Sequence, residues 1–124
     1  MKKLFALLLI TFAFSFGLKA SHNNGGEITY EWVSGNTYKV QLVLFVDCFS
    51  FMPDTIVYRS ISSACAVNRF DTLFLASRED ASQVCDTMLT TCNGGSVPGQ
   101  TKWVYEANIN YVACTDWNLS YTLC

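Results

Sequence analysis

Six cysteines, one histidine and a scatter of carboxylates are the residues able to do chemistry in this 124-residue chain. Cys48, Cys65, Cys85, Cys92, Cys114 and Cys124 are separated by 16, 19, 6, 21 and 9 intervening residues. Zinc sites use paired cysteines two to four residues apart or histidine clusters, so this spacing does not suit a metal. In a small exported chain the six read as disulfides. Fifteen complete pairings exist, and geometry removes some of them. If residues 117–123 are extended, Cys114 and Cys124 lie about 30 Å apart, whereas a bridge needs Cα atoms roughly 5.5 Å apart. Cys85 and Cys92 enclose the shortest loop and form the favoured pair, contributing about 2–3 kcal/mol in the chain-entropy model.

His22 is the single histidine. No cysteine or carboxylate stands at ligand spacing from it, and a nucleophilic triad needs its base beside a Ser or Cys. Hydrolase chemistry is therefore disfavoured, and the chain reads as non-enzymatic. Paired carboxylates could serve glycoside hydrolysis, and Glu79–Asp80 or Asp71 with Asp86 are the available pairs. Glu79 and Asp80 are adjacent, which suits an exposed acidic turn better. Asp47, Asp54, Asp71 and Asp116 fall near strand ends, where extracellular modules sometimes hold Ca²⁺. The commoner use of Asp at such places is capping turns, which is the favoured reading. No cofactor is implied.

Two further features bear on binding. "CNGGSVPGQ" (92–100) offers Asn93, Gly94, Gly95, Pro98 and Gly99 as a possible binding loop, although turn geometry explains the glycines equally well. Trp32, Trp103, Tyr105, Tyr111, Trp117 and Tyr121 could form a sugar-stacking platform. Each falls on the apolar face of its segment, however, so core packing is preferred for them.

The elements that must position these residues begin after an export signal. Lys2 and Lys3 precede "LFALLLITFAFSF", and Ala20 supplies a small residue at the expected cut. The apolar run is shorter than the roughly 20 residues of a spanning helix. Cleavage leaves 21–124, enough for one domain with a modest core. It also removes three of the eight Lys and Arg (Lys2, Lys3 and Lys19). Five then stand against ten Asp and Glu, and the formal charge moves from −2 to −5. No basic cluster remains, so nucleic acid is not an expected partner.

Period-two patterning dominates the rest. "GEITYEWV" sets Ile28, Tyr30 and Trp32 on one face, with Glu27, Thr29 and Glu31 on the other. "SGN" turns the chain into "TYKVQLVLFVD" (37–47), whose second half is apolar on both faces, and the two runs predict a hairpin. Residues 54–62, 69–77, 101–111 and 116–124 are further strands, while 78–89 reads as a short helical turn or a pinned loop. The expected fold is all-β: an antiparallel immunoglobulin-like β-sandwich, stapled by disulfides.

Several stretches resemble one family. Ser21–Ile28, Asp47–Cys48, Cys92–Gly99, Tyr105–Glu106 and Asp116–Tyr121 are similar to the N-terminal module of large secreted Bacteroidota proteins. Those proteins continue into polycystic-kidney-disease-type domains and a gliding-motility-associated C-terminal sorting domain read by type IX secretion. Asn23 and Asn24 replace the family's apolar pair, and "FVDCFSFMPD" lacks its Tyr-Arg. The resemblance implies a fragment in which Cys124 opens a cysteine doublet, leaving room for one of the six to pair beyond it. It also implies a secreted or outer-surface location and a structural, adhesion-type role. The expected partners are an extracellular protein or glycan and downstream modules of the same chain.

Overall fold

A computed structural model of the chain describes residues 23–122 apart from Asp86. The export signal at 1–20, His22, Asp86 and Cys124 lie outside the described residues. Six strands follow in order: β1 (Asn23–Ser34), β2 (Thr37–Asp47), β3 (Thr55–Ser62), β4 (Val67–Asp80), β5 (Gln100–Asn110) and β6 (Asn118–Ser120). All pair antiparallel in a single sheet of order β1-β2-β5-β4-β3-β6. The run β2-β5-β4-β3 has Greek-key order, with β5 returning to lie beside β2.

The sheet becomes sandwich-like at β4. The first part of this 14-residue strand, Val67–Phe74, pairs with β3, and the remainder from Phe74 pairs with β5. The handover at Phe74 is followed by a register shift between Leu75 and Ser77. Such bulges bend a strand and increase its twist. The β1-β2-β5 layer thereby covers β3 and β6, and the inward residues of both layers form one core. Val40, Leu42, Leu44 and Val46 enter it from β2, and Trp103 and Tyr105 from β5. Ile56 and Tyr58 from β3 and Leu73 from β4 meet them. Val43 is also nearly buried, as expected for the part of β2 that is apolar on both faces. The antiparallel sandwich anticipated from patterning is the observed fold class.

Boundaries differ at both ends of the second layer. The strand expected over 69–77 extends to Val67–Asp80, and that expected over 116–124 is hydrogen-bonded only through Asn118–Ser120. Trp117, Leu119 and Tyr121 nevertheless keep the alternation, each partly buried against the core. Trp32 requires a larger correction. It shares a face with Ile28 but is 63% exposed, and Tyr30 is 68% exposed. Their strand is the sheet edge, and the opposing β6 is too short to cover them.

The core uses aromatic rings whose polar tips all find partners, as burial of such groups requires. Trp103 Nε1 donates to Thr101 Oγ1 at 3.1 Å, and Tyr105 Oη donates to the Pro53 carbonyl at 2.8 Å. Burial pushes the Tyr105 phenol up to about 12, with smaller contributions from Tyr121 and Asp54. An unfolded tyrosine ionises near pH 10. The folded state therefore holds its proton where the unfolded chain has released it, and stability falls as pH rises from 10 towards 12. Urea midpoints measured across this range are expected to decline for the wild type. They should decline less steeply for Tyr105→Phe, and identical slopes would contradict the assignment.

Candidate functional site

The surface outside the core concentrates polar and aromatic groups in three places. The first is the end where β2 finishes and β5 begins. Asp47 pairs with Gln100, which brings Cys48 beside the loop preceding β5. Cys48 bridges to Cys92 with Cα atoms 4.9 Å apart. This overturns the expected Cys85–Cys92 pair. The smallest loop is the cheapest to close, yet the β2–β5 register decides which sulfurs actually meet. Cys85 is exposed and has no sulfur partner among the described residues.

The glycine loop is shaped around that bridge. Thr90 caps a short 3-10 turn, Thr91–Asn93, by accepting from Cys92 N–H, and the chain turns left-handed at Gly94. A Cβ on Gly95 would overlap the Leu89 carbonyl, and one on Gly99 would lie 2.9 Å from Cys48 Sγ. Asn93 Nδ2 donates to Asp80 Oδ2 at 2.8 Å, and Pro98 borders a shallow depression with Asn24 and Asp47. Asn93, Gly94, Gly95 and Gly99 are thus accounted for by the packing of the loop itself. Asp80 also accepts from Ser82 N–H, and the Ser82 contacts hold its carboxyl below the usual range, while Glu79 pairs with Lys102 at 2.9 Å. Phe49 and Phe51, on the β2–β3 loop, are more than four-fifths exposed.

The second place is the opposite end. Cys65, in the β3–β4 turn, bridges to Cys114 with Cα atoms 6.2 Å apart. Asp116 clasps the same turn, accepting from Ser62 Oγ at 2.5 Å and from the Ser63 and Ala64 N–H groups at 2.9 Å. The Ser62 hydroxyl, then the Ala64 amide, hold this carboxyl below its ordinary 3.8. Asp116 therefore caps a turn.

The third place is a chain of hydrogen bonds running from the core to solvent. Tyr58 Oη and Tyr111 Oη lie 2.5 Å apart, Ser60 Oγ is 3.1 Å from Tyr111 Oη, and Ser60 donates to Asp71 at 2.9 Å. Asp71 receives Arg69 in a fork, and Arg69 Cζ sits 5.3 Å from the Tyr111 ring centre. Burial, reinforced by Tyr111, raises the Tyr58 phenol well above its ordinary value. Asp71 holds Arg69 charged more firmly. Every member has a hydrogen-bond partner within the network.

Beside this chain, the outer rings form a cleft of about 170 Å³. Tyr30, Tyr38, Tyr111, Thr115, Trp117 and Leu119 line it. Tyr38 meets Tyr30 and Tyr111 edge-on at 6.1 Å, and Trp117 tilts over Tyr111 at 4.6 Å. Of the six aromatics singled out from sequence, Tyr111 and Trp117 reach the cleft, while Trp103 and Tyr105 are core. Tyr30 and Tyr38 were not in that set. The hairpin register, which pairs Trp32 with Tyr38 and Tyr30 with Val40, is the signal that places them on the same face. Comparison of the chain with protein-family models, curated proteins and solved structures finds no match.

Two outcomes are expected. Non-reducing peptide mapping should recover Cys48–Cys92 and Cys65–Cys114 linkages. Each encloses about 45 residues, so replacing either pair by serine should lower stability by about 4 kcal/mol. A Cys85–Cys92 peptide would refute the map. For Asp116, a lowered folded pKa means stability present above 3.8 and lost as pH falls through the folded value. Asp116→Asn should be less stable than wild type at pH 7, with the gap closing in acid. A gap independent of pH would show that the carboxylate charge is not what holds the turn.

Proposed function

We propose that this chain is a non-enzymatic extracellular module of a larger secreted or cell-surface protein, serving as a stapled spacer and contact domain. The observation that carries this reading is the placement of the two bridges. Cys48–Cys92 ties one end of the sandwich and Cys65–Cys114 ties the other, each across a long stretch of sequence. Bridges of this kind persist outside the reducing cytoplasm. They restrict the local opening on which proteolysis depends. The export signal and the resemblance to N-terminal modules of type IX secretion substrates support the same setting. The engagement of Asp71, Asp80 and Asp116 in ion pairs and caps supports the non-enzymatic part of the reading.

A second reading is a carbohydrate-binding module. The exposure of Tyr30 and Trp32 beside a ring-lined cleft favours it.

Expression of the full chain with its own leader tests the first reading. Material recovered outside the cytoplasm should start near Ser21, carry both bridges and resist a broad protease until it is reduced. Retention inside the cell with free thiols, or equal digestion before and after reduction, would overturn it. Retardation on neutral polysaccharide that disappears in Tyr30→Ala would favour the second.

A further inference from the structure

The two edges of the sheet are unlike. β6 pairs with β3 at Arg59–Ile61 alone, which breaks that edge into short pieces: three residues of β6 and Thr55–Tyr58 of β3. β1 is 12 residues long, pairs among the described residues only with β2, and has no proline or lysine. Its register shifts fall near its two ends, between Asn23 and Gly25 and between Trp32 and Ser34, which leaves Gly25–Trp32 as an uninterrupted strand. Proteins ordinarily blunt sheet edges with short strands, charged side chains (lysine above all), proline or bulges. Along this central stretch β1 has no lysine, proline or bulge, and its charges are Glu27 and Glu31 alone, which repel an acidic or identical strand and admit a basic one.

Its two faces are also distinct. Glu27 and Glu31 lie on the outer face with Thr29. Lys39, directly opposite Glu31, is instead ion-paired with Glu106. Among the described residues, Glu27 and Glu31 have no cationic partner within ion-pair distance. On the inner face, Tyr30 opens into the cleft it shares with Leu119 of β6. At about 170 Å³ this cleft is smaller than the roughly 300–1,000 Å³ of sites for drug-sized ligands, and it matches a single side chain.

From this arrangement we infer that β1 is a strand-addition site for an extended partner segment that alternates basic with apolar or aromatic residues. The main chain of that segment pairs along Gly25–Trp32. Its cations meet Glu27 and Glu31, and one of its apolar side chains enters the cleft. Edge pairing supplies affinity and alternate-residue pockets supply specificity in this mode of recognition. A second copy of the chain fits poorly. Antiparallel pairing of two β1 strands centred on Thr29 sets Glu27 against Glu31 twice, and like charges directly opposite are destabilising. The inference names a partner for the contact role proposed above and rests on that reading for its extracellular setting.

The test titrates the purified protein with a capped ten-residue peptide alternating lysine and phenylalanine. Two controls are used, one with glutamate in place of lysine and one fully N-methylated on the backbone. The lysine peptide should bind in the micromolar range, at least tenfold more tightly than either control, and should slow amide exchange over Gly25–Trp32. Glu27→Lys/Glu31→Lys should reverse the preference towards the glutamate peptide, and Tyr30→Ala should weaken binding about tenfold without altering the thermal midpoint. Equal binding of all three peptides, or of none, would overturn the inference. Two other results would do the same. One is concentration-dependent dimerisation that protects β1 without peptide; the other is Tyr30-dependent binding of neutral polysaccharide alone. Failure here with export and both bridges intact removes the site and leaves the module reading standing. Peptide binding by a chain retained in the cytoplasm does the reverse.

Discussion

A six-stranded sheet with one apolar face cannot remain flat in water, and the bend within β4 is the constraint on which the molecule depends. By giving one half of a single strand to β3 and the other half to β5, the chain makes both layers from one continuous hydrogen-bonded ladder. The inward residues of β2 and β5 then face Ile56, Tyr58 and Leu73. Burial of apolar surface between the layers is the main favourable contribution to folding. It exists only because the ladder changes direction after Phe74, so a straight β4 would leave each layer with its apolar side in solvent.

The bend leaves the ends of the sandwich as its weak points, and the cross-links sit there. Cys48–Cys92 closes the end containing the glycine loop, while Cys65–Cys114 with the Asp116 clasp closes the other. Between them, the chain from Tyr58 through Tyr111, Ser60 and Asp71 to Arg69 fixes how β3, β4 and the segment after β5 meet. A buried polar network satisfied throughout favours one arrangement, because any slip leaves a donor or acceptor unpaired. The apolar core makes the layers adhere, and the network with the bridges selects their register.

What was legible in the sequence was what depends on local alternation. The β1–β2 hairpin, β3 and β5 follow from period-two runs, and the all-β class follows from them. Sheet order was not legible, since it is set by non-local pairing. Two errors share that cause. Loop length favoured Cys85–Cys92, but Asp47 opposite Gln100 carries Cys48 to the glycine loop. Apolar phase placed Trp32 inside, but its strand is an edge. The glycines of 92–99 illustrate the same limit: their composition signals turns, and only the packing of Gly95 on Leu89 and of Gly99 on Cys48 shows why side chains are excluded.

The edge also explains why the aromatic residues divide as they do. Along β5, Trp103 and Tyr105 are flanked by strands on both sides and covered by the second layer, so their rings act as core. Along β1, residues in the same phase have a neighbour on one side and a gap opposite, so Tyr30 and Trp32 remain in solvent despite an identical pattern. Two large rings are thereby exposed on a strand that has one neighbour among the described residues, with Glu27 and Glu31 the only charges that protect its edge. Both rings also have partners within the hairpin, since Trp32 Nε1 donates to the Gly35 carbonyl at 3.0 Å and Tyr30 meets Tyr38 edge-on. Among the described residues, an edge without a second strand, two glutamates without a cation and an open aromatic cleft thus coincide along β1, because nothing on that strand is flanked on both sides.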